Sequence, residues 1–167
     1  MKRLLIIRSA SIQQLDININ QIKESFKGHE IFILTHPHTV EHCKKYSVKN
    51  IIPYESKNDF NFKFIPKELK NEKFDSVIFL VSNISGKGYL NLILFSFLLT
   101  PKSVYYINIK SEIKKIYKLN LLFNLLKRIL YLFLILILIF PFTTILLIVT
   151  ILNPLVKKII NLLKNVI

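Results

Sequence analysis

A charge-free apolar run near the carboxyl end constrains this chain more than any other feature. The run, ILYLFLILILIFPFTTILLIVTILNPLV, covers residues Ile129–Val156 and holds 28 residues without one Asp, Glu, Lys or Arg. About 20 residues of apolar helix cross the roughly 30 Å hydrocarbon core of a bilayer. A core helix of a soluble protein is not uniformly apolar over such a length. The run therefore predicts a transmembrane helix over residues 129–152.

Two arrangements in the membrane are open from the sequence. Pro141 lies near the middle of the run, so a single kinked span and a re-entrant hairpin with both ends on the cytoplasmic face both fit. We favour the single span, because 28 residues are too few for two crossings of about 20 each. The larger basic cluster precedes the run, and such clusters stay in the cytoplasm. The preceding domain is therefore expected on the cytoplasmic side.

The segments that flank the run are basic and partly apolar. From Ile113 to the end of the chain there are eight basic residues and no acidic one. We expect residues 112–128 to form an amphipathic juxtamembrane helix and residues 153–167 a basic amphipathic helix, both suited to a membrane interface. We expect the net charge of +14 to attract the chain to anionic membrane lipid. No nucleic-acid motif is present, so no nucleic-acid partner is expected.

The first 111 residues alternate between two periodicities. Short apolar runs such as RLLIIRS are typical of strands buried on both faces, and SIQQLDININQIKESFKG carries apolar residues at helical spacing. Alternating strands and helices predict an α/β domain with a parallel sheet. We expect five strands in the order 3-2-1-4-5, which is Rossmann-like or flavodoxin-like.

Ligands of such sheets bind at the carboxyl ends of the strands, where the winding reverses. The segment SNISGKG follows the fourth predicted strand, and its glycines suit either a phosphate-cradling loop or a tight turn before a helix. It matches neither standard phosphate-loop motif, so both interpretations stay open. The candidate ligand-binding residues at this edge are Ser9, Ser11, His36, His38, Ser82, Asn83, Ser85, Gly86 and Lys87.

Metal, cofactor and thiol chemistry have little support in the sequence. His36 and His38 would need a third ligand, such as His42 or Glu41, to hold zinc. The alternative is a loop lined by partly exposed histidines that could contact a substrate. We expect no metal and no cofactor. Cys43 is the only cysteine, which excludes an internal disulfide and fits a reducing compartment.

Three stretches in order carry a resemblance to a known family. They are KRLLIIRSASI, EIFILTHP and NIIPYESKNDFNFKFIPKELKNEKFDSVIFLVSN. Together they resemble the amino-terminal half of a GT-B glycosyltransferase of the heptosyltransferase-like family (family 9). The resemblance implies a Rossmann-like domain that contacts the acceptor, while a second domain, absent here, binds the nucleotide sugar.

The chain departs from that pattern at the position of the expected base. The family has Gly-Asp where this chain has Gln13 and Gln14, and a carboxamide has no useful basicity. Asp16 and Glu55 are the nearest substitutes, and the catalytic residues are unknown. The resemblance therefore implies a membrane-anchored half-domain in cell-surface glycan or lipid-linked sugar assembly. Its partners would be a lipid-linked or nucleotide sugar, or a glycosyltransferase subunit; the alternative is a non-catalytic scaffold or regulatory module.

Overall fold

The chain forms two compact units. The computed structural model describes residues 1–56, 60–70 and 72–164. One unit is Met1–Tyr117, and the other begins at Lys118. The first is an α/β domain and the second is a single helix.

The α/β unit is built on one mixed sheet of six strands. They are β1 (Lys2–Ile7), β2 (His29–Thr35), β3 (Asn50–Pro53), β4 (Ser76–Leu80), β5 (Ser103–Ile107) and β6 (Ile113–Ile116). Their order in the sheet is β3-β2-β1-β4-β5-β6. The contacts among β1 to β5 are all parallel, whereas β6 runs antiparallel to β5. The chain therefore winds outward from β1 in both directions, and the winding reverses between β1 and β4.

Helices connect the strands. They are α1 (Ile12–Ser25), α2 (Val40–Cys43), α3 (Lys67–Lys70) and α4 (Leu90–Leu98), with short 3-10 turns at Pro37–Thr39 and Lys44–Tyr46 on either side of α2. The first helix begins where the Ser11 hydroxyl accepts a hydrogen bond from the Gln14 amide at 3.2 Å. Such a cap satisfies one of the amides left free at a helix start. The chain leaves α1 through Gly28, whose φ of +83° favours glycine.

Two apolar layers cover the two faces of the sheet. On one face Leu4, Ile6 and their strand neighbours pack against Leu15 and Ile19 of α1. On the other face Leu5, Ile7 and their neighbours pack against Phe95 of α4. The four residues Leu4–Ile7 are completely buried, which stabilises the fold by about 1.5–3 kcal/mol per side chain. This two-sided burial is the reason that the strand is a continuous apolar run.

The sixth strand corrects the sequence-based prediction of five strands in the order 3-2-1-4-5. It also replaces the start of the amphipathic helix that was expected over residues 112–128. A tight turn makes the reversal after β5: the Asn108 side-chain oxygen accepts hydrogen bonds from the amides of Lys110 (2.9 Å) and Glu112 (3.0 Å). Ser111 completes the turn with a φ of +63°. The following residues then pair with β5 from Ile107↔Ile113 to Val104↔Ile116.

The second unit is helix α5, Lys118–Lys164. It passes through Pro141 and Pro154 without interruption, so the segments expected at 129–152 and 153–167 belong to one helix as far as Lys164. Residues 165–167 lie outside the described part of the chain. A re-entrant hairpin would need a turn in the apolar run, and the described helix has none there. Over Lys118–Pro154 the helix is long and apolar enough to cross a membrane, with a mean hydropathy of 3.0 in a window that is entirely unburied.

Threonines interrupt the apolar surface of α5 without leaving free donors. Thr143 donates a hydrogen bond to the Phe140 carbonyl at 2.9 Å, and Thr144 donates to the Pro141 carbonyl at 2.8 Å. Thr150 donates to the Leu147 carbonyl at 2.8 Å. In hydrocarbon an unsatisfied donor costs several kcal/mol, so this internal pairing suits a lipid environment.

Candidate functional site

The carboxyl edge of the parallel strands is the candidate site, and its centre lies between β1 and β4. Ser9 follows β1 and donates its hydroxyl proton to the carbonyl of Leu80, the last residue of β4. Gln14, in the first turn of α1, donates from Nε2 to the Val81 carbonyl at 2.9 Å. Two side chains thus tie the loop after β1 to the end of β4. The predicted residue Ser9 is engaged in this structural contact.

Residues 82–89, which we call the Gly86 loop, close largely on themselves. The Asn83 side chain accepts a hydrogen bond from the Gly86 amide at 2.7 Å and donates one to the Lys87 carbonyl at 2.8 Å. The Lys87 amide donates to the Ser85 hydroxyl at 3.4 Å. Amides that would have to point at a bound phosphate are therefore used within the loop. These contacts favour the tight-turn interpretation of SNISGKG.

The two glycines are required by the backbone of this turn. Gly86 has a φ of +68° and Gly88 a φ of +92°, a region that other residues rarely adopt. A Cβ atom added at Gly86 would lie 3.2 Å from two ring atoms of Tyr106. At Gly88 nothing lies within 4 Å of an added Cβ. Gly86 thus also allows a close approach to β5.

The polar side chains of the Gly86 loop differ in their availability. The Ser82 hydroxyl lies 2.6 Å from the Tyr89 hydroxyl, which also accepts from the Ser82 amide at 2.9 Å. Lys87 is exposed, and its ammonium group makes no ion pair with another described residue. Ser82 and Ser85 are also exposed, but their hydroxyls take part in hydrogen bonds within the loop, so Lys87 is the predicted loop side chain with the most freedom to contact a ligand.

The two histidines after β2 belong to an aromatic cluster. The rings of His36 and His38 are stacked with centroids 5.9 Å apart. His36 also contacts Phe60 at 4.9 Å and the buried Tyr54 at 5.5 Å, whereas His38 is exposed. Within residues 1–56, 60–70 and 72–164, no group of three His, Cys, Asp or Glu side chains comes together to hold a metal ion.

The residues considered as bases do not converge on the edge. Gln14 acts as a hydrogen-bond donor to a carbonyl. Asp16, two residues further along α1, accepts hydrogen bonds from Lys45 Nζ at 2.6 Å and Tyr46 Oη at 2.8 Å. The Lys45 contact lowers the pKa of Asp16, and the Tyr46 hydrogen bond lowers it further. A carboxylate held ionised in this way is a weak base. Glu55 is exposed and pairs with no described cation.

A residue that the sequence analysis did not select is the most unusual group at this edge. Arg8 directly follows β1 and is only 8% exposed. Its Nε donates to the Thr35 hydroxyl at 2.6 Å, and a terminal nitrogen donates to the Ala10 carbonyl at 2.9 Å. Burial lowers the pKa of Arg8, and no ion pair among the described residues includes it. The sequence signal was a charged residue at the end of an otherwise apolar strand.

The edge therefore combines cations and hydroxyl donors in place of an acid–base pair. Arg8 is buried beneath it, Ser11 is exposed at the start of α1, and Lys87 is exposed on the Gly86 loop. No protein-family model, curated protein or solved structure matches the chain.

Proposed function

We propose that this chain is a membrane-anchored, glycosyltransferase-like half-domain in cell-surface glycan or lipid-linked sugar assembly. It binds an acceptor or a partner subunit and does not catalyse alone. The observation that carries the proposal is the set of polar groups at the carboxyl ends of the parallel strands. Groups suited to anion binding lie there, whereas Gln14 and Asp16 are committed to structural contacts that leave them unable to take a proton.

Anchoring is supported by helix α5. Its apolar window is unburied, and the hydroxyls of Thr143, Thr144 and Thr150 are satisfied within the helix. The α/β unit is proposed to lie on the cytoplasmic side, because five basic residues closely precede the apolar run (Lys114, Lys115, Lys118, Lys127 and Arg128) and three follow it (Lys157, Lys158 and Lys164). Protease added outside intact cells then leaves the α/β unit uncut until the membrane is opened. Digestion in intact cells contradicts this orientation.

A second candidate is a non-catalytic scaffold or regulatory module at the membrane. The self-closed Gly86 loop favours it, because Ser82, Asn83 and the Gly86 amide, which were predicted to bind a ligand, are used inside the loop. In this case the edge carries no ligand, and only the surface in contact with a partner protein matters.

The two candidates differ in their response to charge reversal at the edge. Cells that lack the chain are complemented with the native protein, with Lys87→Glu or with Lys27→Glu, and lipid-linked and surface glycans are profiled by mass spectrometry. Lys27 is a matched exposed lysine after α1, at the opposite edge of the sheet. The half-domain proposal expects altered glycans with Lys87→Glu and native glycans with Lys27→Glu. Glycans that are unchanged even when the chain is missing contradict it.

A further inference from the structure

Arg8 is a buried cation for which the described chain provides no counter-ion. Taking a charge out of water costs several kcal/mol unless it is paired and hydrogen-bonded. Arg8 has its two hydrogen bonds, to Thr35 and Ala10, but both acceptors are neutral. Arg3, within β1, differs: it pairs with Glu72 and lies 3.7 Å from Glu30.

The nearby ionisable groups do not neutralise Arg8. Cys43 and Tyr46 are the groups whose charge would act on it, and burial raises the pKa of both, so they are neutral at pH 7. The carboxylate of Asp16 in α1 is occupied by Lys45 and Tyr46. The positive charge at the end of β1 is thus left for a ligand.

The loop that receives the guanidinium group leads into the start of α1. A terminal nitrogen of Arg8 donates to Ala10, and the next residue, Ser11, caps α1. The Ser11 oxygen accepts from the Gln14 amide, so its own hydroxyl proton is available to donate. The first turn of this 14-residue helix has no acidic residue, so its positive end is not neutralised by the chain.

The geometry points to a phosphate-binding site at the loop between β1 and α1. We infer that Arg8, the Ser11 hydroxyl and the start of α1 bind a phosphate monoester or diester. A guanidinium group with unused donors suits two phosphate oxygens at once. This inference deepens the proposed function, on which it rests, by naming the chemical class that the edge recognises. It places the anion beside Arg8, whereas the sequence had suggested the Gly86 loop.

The test measures the thermal unfolding of the full chain in a phosphate-free, non-ionic polyoxyethylene detergent. Inorganic phosphate is titrated at constant ionic strength against chloride, and the Tm of the α/β unit is followed. A ligand that binds only the folded state raises the Tm, by about 5 °C at ten times its Kd. Phosphate also stabilises proteins without binding at a site, so the informative quantity is the difference from Arg8→Gln. Arg3→Gln, near the amino end of β1, is the matched control.

The expected result is a phosphate-dependent rise for the native chain and for Arg3→Gln that is lost in Arg8→Gln. If Arg8→Gln does not fold, Ser11→Asp makes the same distinction. Aspartate preserves the helix cap and places a carboxylate next to Ala10, whose carbonyl accepts a hydrogen bond from Arg8. Ser11→Asp is expected to raise the Tm in chloride and to abolish the response to phosphate. An unaltered phosphate response in Arg8→Gln or in Ser11→Asp overturns the site.

A second arm identifies the source of the phosphate. The micelles are supplied with phosphatidic acid or, as a charge control, with a fatty acid. A rise with inorganic phosphate supports a soluble phosphate ester, and an Arg8-dependent rise with phosphatidic acid alone supports a lipid-borne one. No Arg8-dependent rise in either arm overturns the inference. If Lys87→Glu still alters glycans in that case, the proposed function survives the loss of this site.

Discussion

Placing lysines in the centre of α5 should detach the chain from the membrane, and the number required can be worked out. Residues 133–151 contain fifteen Leu, Ile, Phe or Val residues. At about 0.3–0.6 kcal/mol each, they favour insertion by about 4.5–9 kcal/mol. One central lysine costs about 2.5–3.5 kcal/mol, so a single substitution leaves the helix inserted. Three substitutions, Leu138→Lys, Phe142→Lys and Ile145→Lys, cost about 7.5–10.5 kcal/mol and cancel the driving force.

Those three side chains are 70%, 79% and 60% exposed, so their replacement removes little packing within the chain. The assay is extraction of isolated membranes at alkaline pH, followed by detection of the chain in pellet and supernatant. The control adds the same charge to exposed apolar positions of the α/β unit, Ile17→Lys, Ile84→Lys and Leu98→Lys. The native chain, Phe142→Lys alone and the control are expected in the pellet, and the central triple variant in the supernatant. A triple variant that stays in the pellet, or a native chain that is extracted, contradicts the prediction that α5 anchors the chain in the membrane.

Three predictions concern the α/β unit, and chemical denaturation of the full chain in detergent, followed by the near-ultraviolet circular dichroism of its tyrosines, measures each one. Asp16→Asn should lower the stability at pH 7, because the contacts with Lys45 and Tyr46 lower the folded-state pKa of Asp16. The difference from the native chain should shrink as the pH falls through that lowered pKa, and a difference that is the same at every pH would argue against these contacts. Gly86→Ala and Gly88→Ala should each lower the free energy of unfolding by at least about 1 kcal/mol. The loss should be larger at Gly86, because its added Cβ lies 3.2 Å from the Tyr106 ring. Equal losses would show that the ring moves away freely. Phe95→Ala should lower the free energy of unfolding by about 3–5 kcal/mol, because Phe95 is fully buried. Leu98→Ala, one helical turn further along α4, should lower it far less, because Leu98 is 52% exposed. Similar losses would mean that α4 does not pack as described.

The parallel part of the fold was predictable because its signals are local. The run Leu4–Ile7 is buried on both faces, and a serine followed by apolar residues at helical spacing marks the start of α1. The strand β6 was missed because Ile113 and Ile116 are also three residues apart, which fits a helix. What decides between the two structures is the Asn108 turn and the pairing with β5, and that pairing is not visible in a short window. An asparagine followed by a serine after a predicted strand was the available signal for a turn.

The candidate site was predictable in position and less so in chemistry. The sequence placed SNISGKG at the correct edge of the sheet, but it could not show that Asn83 would close the loop. Arg8 was passed over because its significance comes from burial and from the absence of an ion pair within the described residues. The burial depends on a tertiary contact with Thr35 of β2, whereas the contact with Ala10 is local, two residues along the chain. Tertiary contacts therefore decide which polar residues of the edge remain available.

We propose that this chain supplies one half of an assembly at the membrane, and co-purification tests this proposal most directly. The tagged full-length chain is isolated from its own membranes in a gentle detergent, and the proteins that accompany it are identified and quantified by mass spectrometry. The account predicts a stoichiometric partner that carries a nucleotide-sugar-binding domain. A chain that is recovered alone, or with a partner of unrelated type, contradicts the half-domain proposal.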